Sequence, residues 1–540
     1  MLLTGSLLCI SVLLHAQPCS TTFIQFTSQE DIDNFALEYS GCTTWKGLIK
    51  IGPSDDIVDL SGLQQIKRIE GTLNISYNDS LADLSTLSHL EWVDFFYLKG
   101  NDFLTTLNGL SSLEVIANRL YIEDELTLAN IDAINALDTV RGLTIKNCPK
   151  LDSVSFQVPM DTMSDLSISH CQGLKYVKGF KDLKHLVGDF YFTYNDSMSE
   201  LPQFENLVSV TGRFVVFRQG LLSSLLGFDS LRYTRTFSVA DNYNLELLAN
   251  FERLKVSDNI LIQSNSRLKE LRGFNDTDSL RLLEVQRNDS LKSIDAFHNL
   301  VTMQYLIFFE NPNLDSIYGF DKLQVVKEQL RMSGIGVKSF DFFEQLHSIE
   351  FQTLVFAIGI ASNEQLVNLN GLENLFEVSG QVSISANANL LDISSLSNID
   401  PTKVTKLSIA GSPHLSDCVN DFVCEYLRLE KESSIGSNAP GCNSKEEILA
   451  ACEILNNSDI EQGDLELVVY PNPATSIVEL QIGDVSIAPN YIALYDMSGR
   501  TYMMPYVDGE GYDVASLPSG LYQLLLQRQG KVHAARLMKM

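Results

Sequence analysis

Tyrosines with the spacing to bind something occupy alternate positions of short apolar runs: Tyr97 between Phe96 and Leu98, Tyr121 between Leu120 and Ile122, and Tyr191 between Phe190 and Phe192. If the flanking apolar residues point inward, strand alternation sends the tyrosines outward. Tyr97 and Tyr121 then stack about 5 Å apart in adjacent repeats, with Lys99, Arg119 and Glu123 beside them. Such a platform suits sugar rings or a partner's loop, through apolar contact and hydrogen-bonding rims. Val215, Phe217, Leu261, Ile307 and Phe309 continue it as an exposed apolar patch. The candidate ligand-binding residues are therefore Tyr97, Tyr121, Arg119, Tyr191, Phe217 and Phe309. Catalysis needs tighter constellations. His170, His185, His298, His347 and His414 lack Cys-His or His-x-x-x-His spacing, and there is no nucleophile elbow or phosphate loop. Glu123 and Glu284 are too far apart in the repeat order to form the carboxylate pair of a glycoside hydrolase. No enzyme activity, metal or cofactor is expected.

The elements that position these side chains form a repeat. Taking Ile75 as reference, apolar residues recur at 51, 98, 122, 145, 168, 192, 216, 239, 262, 285, 308, 332, 360, 384 and 409. Nearly every step is 23 or 24 residues, the longest being 28 between 332 and 360, and a fixed period of this size marks a solenoid. Each unit begins with a period-two strand, such as Leu73 to Ile75, and three residues after the reference comes Asn, at 78, 101, 195, 242, 265, 288, 311, 363 and 387. Asn satisfies backbone groups freed by the turn, so a ladder of stacked amides is predicted. Leu residues spaced by three, as in Leu84-Ser-Thr-Leu-Ser-His-Leu90, predict tight 3₁₀-like returns. The fold class is mainly β: a parallel solenoid of about 16 coils over 47–416, with a change of period near the C-terminus.

Composition narrows the partners. Against 39 Lys and Arg stand 68 Asp and Glu, a formal net charge of −29, which disfavours nucleic acid and anionic lipid. Residues 1–16 read as a signal peptide and no later run is long enough to span a membrane. Removing Cys9 with the signal leaves eight cysteines, which suits an oxidising compartment. Cys19 and Cys42 bracket an N-terminal cap, 17–46, which includes a helix starting at Ser28. Cys148 and Cys171 take the Asn place in consecutive coils, so a disulfide between them is predicted. Cys418, Cys424, Cys442 and Cys452 lie in a C-terminal cap, 417–453, followed by a polar linker, 454–466.

Two resemblances follow. The strand pattern with Leu-x-Gly-Leu-x-x-Leu between strands resembles the receptor L domain, a right-handed leucine-rich module, and the leucine-rich surface proteins of Bacteroidota; it implies a binding role for the sheet. The segment Cys418 to Cys452 looks like the cap that follows the repeats in that group, and of three pairings Cys418 with Cys442 and Cys424 with Cys452 is preferred. The phrases Val468-Val-Tyr-Pro-Asn-Pro-Ala474, Ala493-Leu-Tyr-Asp-Met-Ser-Gly-Arg500 and Leu517-Pro-Ser-Gly-Leu-Tyr522, in a small antiparallel β-sandwich over 467–540, resemble the type A sorting domain of type IX secretion. That likeness implies a Bacteroidota host, the type IX machinery as a partner, and export to the cell surface. Asp-Ser-aliphatic triplets at Asp79, Asp196, Asp278, Asp289 and Asp315 match an O-glycosylation pattern of the same group, or simply make turns. The expected function is a secreted surface protein that binds protein or glycan through its sheet. The alternatives are a structural surface-layer component without a discrete ligand, and a β-helical polysaccharide-degrading enzyme.

Overall fold

The computed structural model describes residues 19–456 except 136, 157–159 and 351–355, and residues 467–540 except 483–484, 487–491, 497–499, 503, 508–510 and 529–530. The signal peptide reading and nearly all of the linker reading fall outside these residues, as does the middle of the Ala493 to Arg500 phrase.

Alternation builds the solenoid. In the strand Trp92–Lys99, Val93, Phe96 and Leu98 are buried while Tyr97 and Lys99 are half-exposed, and neighbouring coils repeat this in register: Leu73, Phe96 and Leu120 align, as do Ile75, Leu98 and Ile122. The result is a 22-stranded parallel sheet that starts with Ser20–Phe26 and ends with Glu432–Gly436. About 17 turns are stacked, close to the 16 read from the period. Coils pack at backbone distance. Gly71, at φ 151°, sits where a Cβ would lie 2.2 Å from the Gly47 carbonyl oxygen, so no larger residue fits there.

The return side uses two solutions. Where an apolar residue is followed by Ser or Asp, as in Ser61–Leu63, Ser85–Leu87, Asp132–Ile134, Asp341–Phe343 and Ser394–Leu396, the chain makes the expected 3₁₀ turn. Elsewhere on this side it makes short strands that are followed, one to three residues on, by Phe. Leu247–Leu248, Glu270–Gly273, Ser293–Ala296 and Ser316–Tyr318 form a second parallel sheet that the Leu spacing did not foretell. The phenylalanines ending these segments join a stack inside the solenoid. Phe156, Phe180, Phe204, Phe228, Phe251, Phe274, Phe297 and Phe320 follow one another with ring centres 5.3 to 6.3 Å apart.

The Asn ladder runs along the turn that leaves the main sheet. Asn265 shows the unit: its Oδ1 accepts from the Asn242 backbone N at 3.1 Å, its Nδ2 donates to the Val239 carbonyl at 2.9 Å, and its own N donates to Asn288 Oδ1 at 3.0 Å. Every ladder Asn is fully or nearly fully buried, so each bond replaces one that water would otherwise make. At Ile335 the side chain offers no acceptor. There the two strands run longer, and Asn311 and Ile335 pair through their backbones instead.

Caps close the solenoid. The N-terminal helix Gln29–Glu38 has Ser28 as N-cap in a reciprocal capping box with Asp31, and buries Ile32 and Phe35. Cys19 and Cys42 are bonded across a Cα separation of 5.5 Å, and Cys418 and Cys442 across 5.4 Å. Cys424 and Cys452 each take part in a disulfide as well.

Cys148 and Cys171 require a correction, because both are free, buried thiols. They do occupy consecutive ladder places, but each sulfur turns back along its own turn, Cys148 Sγ to the Lys146 carbonyl at 3.5 Å and Cys171 Sγ to the Ser169 carbonyl at 3.4 Å. Asn242 and Asn288 make the same bond to the residue two before, each at 3.0 Å. The thiols therefore act as weak donors in the amides' place, each held by a carbonyl of its own turn and not bonded covalently to its neighbour.

The C-terminal unit holds two antiparallel sheets around one core that includes Val469, Val478, Leu480, Leu494, Tyr512, Tyr522, Leu524 and Leu537. The Pro-Asn-Pro-Ala phrase docks on the last strand, Lys531–Lys539. Asn472 donates Nδ2 to the Arg536 carbonyl at 2.6 Å and accepts from the Met538 N at 2.8 Å, and Ala474 continues the pairing.

Candidate functional site on the sheet face

The six candidate residues all stand half-exposed on the outward side of the main sheet, in three groups. Tyr97, Arg119 and Tyr121 are together in adjacent coils, with Tyr97 opposite Tyr121 and Phe95 opposite Arg119. Tyr191 and Phe217 are in the next group, Tyr191 being opposite Val215 and Thr193 opposite Phe217. Phe309 stands apart in the strand Thr302–Asn311, four coils beyond Phe217.

In the first group the rings of Tyr97 and Tyr121 stack with centres 4.6 Å apart and planes 10° from parallel. Since the two residues lie side by side across the sheet, their faces point along the stack and cover each other. What reaches solvent is ring edges and hydroxyls, so the flat platform expected from the sequence is instead an edge-on rim. Burial of the Tyr97 phenol raises its pKa, so the rim stays neutral and hydrogen-bonding.

Arg119 closes one side. Its guanidinium donates to the Tyr121 hydroxyl at 3.0 Å, lies 5.4 Å from the Tyr121 ring centre, and is ion-paired with Asp165 two coils away. The reach is possible because Gly142 fills the intervening coil, where a Cβ would lie 2.9 Å from Arg119 Nε. On the other side Glu123 is clasped by Lys146 at 2.7 Å and Lys99 at 2.9 Å. Those two cations, Lys146 first, hold the Glu123 carboxyl below its ordinary range, so it is an anion and a poor proton donor.

The second group is larger than the sequence indicated. Tyr191 has its pKa raised mainly by burial, with Asp189 and Arg213 beside its hydroxyl. Tyr194 stacks on His170 at 4.3 Å, meets Phe217 edge-on at 5.1 Å, and carries the Arg218 guanidinium 5.5 Å from its centre. The third group places Phe309 between Arg287 at 5.9 Å and Arg331 at 4.3 Å. Sequence reasoning missed His170, Tyr194, Arg218 and Arg331. A signal existed for the first three: they lie two residues after the references 168, 192 and 216, on left-handed backbone with φ of 56°, 57° and 51°, beside the sheet's outward columns.

Among the described residues no group of His, Cys, Asp and Glu has a metal-holding arrangement, and no helix is long and apolar enough to cross a membrane. Hydroxyls of the Asp-Ser pairs bond within the turns: Ser80 Oγ donates to the Asp55 carbonyl, Ser279 Oγ to Asp278 and Ser316 Oγ to Asp315.

A search among curated proteins finds no match to this chain. Among solved structures, a chain of the Toll–Spatzle complex of Drosophila is 11% identical, over 86% of this chain and 74% of that one, with a TM-score of 0.18. Residues 305–400 match the receptor L domain profile, and residues 468–540 match that of the secretion system C-terminal sorting domain. The chain thus carries a receptor L domain within a leucine-rich-like β-solenoid and, following it in sequence, a type IX secretion sorting domain.

Proposed function

We propose that this secreted protein is held at the cell surface after export and uses the outward face of its main sheet to bind protein or glycan, without performing chemistry on it. The observation that carries this reading is the concentration of half-exposed aromatic rings on one face of the parallel sheet, above all the Tyr97 and Tyr121 pair fixed by Arg119. A sheet of this kind needs no aromatics on its solvent side to fold, and contiguous apolar surface of this type marks interaction sites. Pre-ordering supports it too, since the Arg119 to Asp165 bridge immobilises the rim before any ligand arrives. The absence of chemistry is supported by Glu123, whose clasp by two lysines suits a structural anion and not a general acid.

Replacing Tyr97 and Tyr121 together with Ser should abolish capture of ligand, scored on a glycan array and by pull-down from environmental polymer and cell-surface extracts. The cost in folding stability should stay near 1 kcal/mol, because the pair contributes mainly one aromatic contact. Unchanged capture by the double variant would move the binding face elsewhere. A surface-detachment phenotype with no saturable ligand would favour a structural surface-layer role.

A further inference from the structure

Two arginines farther along the same face are left unexplained by the Tyr97 and Tyr121 rim. Arg218 is held against Tyr194, and Arg331 against Phe309. Neither pairs with a carboxylate among the described residues, whereas Arg119 is bound by Asp165 and Arg287 by Glu310 at 2.8 Å. Arg331 is flanked in register by Ile307 and Gly359, so its next neighbour has no side chain to cover it. A guanidinium resting on an aromatic ring still offers its N–H edge, the group that accepts a carboxylate in bidentate fashion.

The ground between them is also particular. Outward residues there include Gln263 and Gln286, neutral hydrogen-bonding amides in adjacent strands, and Glu284, opposite Leu261 and Ile307; in the turn column beside them Asp241 follows Arg218 by one coil and Glu310 is bound to Arg287. Five strand steps separate the two arginines, about 24 Å at the usual spacing. That distance is too long for one small acid.

We infer that the face from Arg218 to Arg331 binds an extended acidic polysaccharide lying along the stack, with uronic acid carboxylates seated on the two guanidiniums. Sugar rings offer C–H faces to Tyr194 and Phe309 and hydroxyls to the glutamines. An acidic polypeptide fits less well, because strands inside a sheet have no free backbone edge to extend. Glu284 opposes carboxylates at the centre, so a polymer with spaced acids should bind better than one charged at every residue. The inference rests on the face-binding reading above and narrows it to a ligand class.

The test uses the full secreted chain, with binding to polygalacturonate, to partially methyl-esterified polygalacturonate, to neutral dextran and to poly-L-glutamate measured at two salt concentrations. The esterified polymer should bind best, with binding weakening as salt rises, and R218A and R331A should each lose about tenfold in affinity. E284Q should raise affinity for the fully charged polymer about threefold, a gain that misfolding cannot produce. Equal binding of dextran, or full binding by both arginine variants, overturns the inference but leaves the Tyr97 and Tyr121 reading to its own test. Preference for poly-L-glutamate overturns it in favour of an acidic polypeptide, and binding of none of the polymers overturns it outright.

Discussion

Two stretches of the ladder sit in the same place on the solenoid and are held together differently. From Asn242 to Asn311 the ladder is four amides, each accepting from the coil before and the first three donating to the next amide. From Glu125 to Cys171 it is a carboxyl and two thiols. Glu125 Oε1 still accepts from the Asn101 N at 3.1 Å and Nδ2 at 2.9 Å, so half of the amide's work is preserved. Its Oε2, in the position of the missing NH₂, is buried without a partner. Burial raises the Glu125 pKa to about 7, because a neutral carboxyl is far cheaper to enclose than a carboxylate. The same fold therefore tolerates a ladder of strong bonds and one of weak bonds, since the sheet and the apolar interior run on beneath both.

The difference can be broken most severely in the regular stretch. Asn265→Ala would orphan the Asn242 N and the Val239 carbonyl together, and about 4 kcal/mol should be lost in chemical denaturation. A loss below about 1 kcal/mol would show that the ladder is dispensable there.

Next comes Glu125→Gln, which supplies the missing donor. A carboxyl whose folded pKa is raised from 4.5 to about 7 supports the folded state fully below pH 4.5 and progressively less up to and beyond pH 7. The variant should gain about 3 kcal/mol over the parent at pH 8 and nothing at pH 4, as read from denaturation curves at both. A gain independent of pH would mean that the carboxyl is not the titrating group.

The smallest effect belongs to the thiols. Cys171→Ala should cost about 1 kcal/mol, since it removes one weak donor and little volume. Thiol labelling of the unreduced, denatured protein should modify Cys148 and Cys171 in peptide maps. Finding both protected until a reductant is added would restore the disulfide that the spacing suggested.

These contrasts also show where the sequence was legible. Period-two strands, Asn at a fixed offset, the Ser28 cap and the Pro-Asn-Pro-Ala phrase could be read because each is a local signal with one structural solution. The bond between Cys148 and Cys171 was misjudged because register fixes which residues are neighbours but not where their side chains turn. Tyr97 and Tyr121 repeat the lesson: alternation placed them outward in adjacent coils, while their side-chain torsions decided that edges, not faces, would meet solvent. The phenylalanine stack from Phe156 to Phe320 recurs with the same period as the strands, yet among so many apolar residues it had no contrast to stand out against. Arg218 and Arg331 were overlooked because an arginine's partner lies in another coil and has no fixed offset.

The bonds that ladder N–H groups make to ladder side chains all point one way, while each Asn Nδ2 also donates back to a carbonyl of the coil before. Backbone and amide donors of one coil meet the side-chain acceptor of the next, from Asn78 to Asn101 and onward to Asn387 and Ser412. At the start, Asn78 Oδ1 is left as a buried acceptor with no donor, and at the finish the Asn438 N is met by Asn443 Oδ1 from the C-terminal cap. The two ends of the ladder therefore differ, an unmet acceptor at the start and a capped donor at the finish, so the caps are not interchangeable.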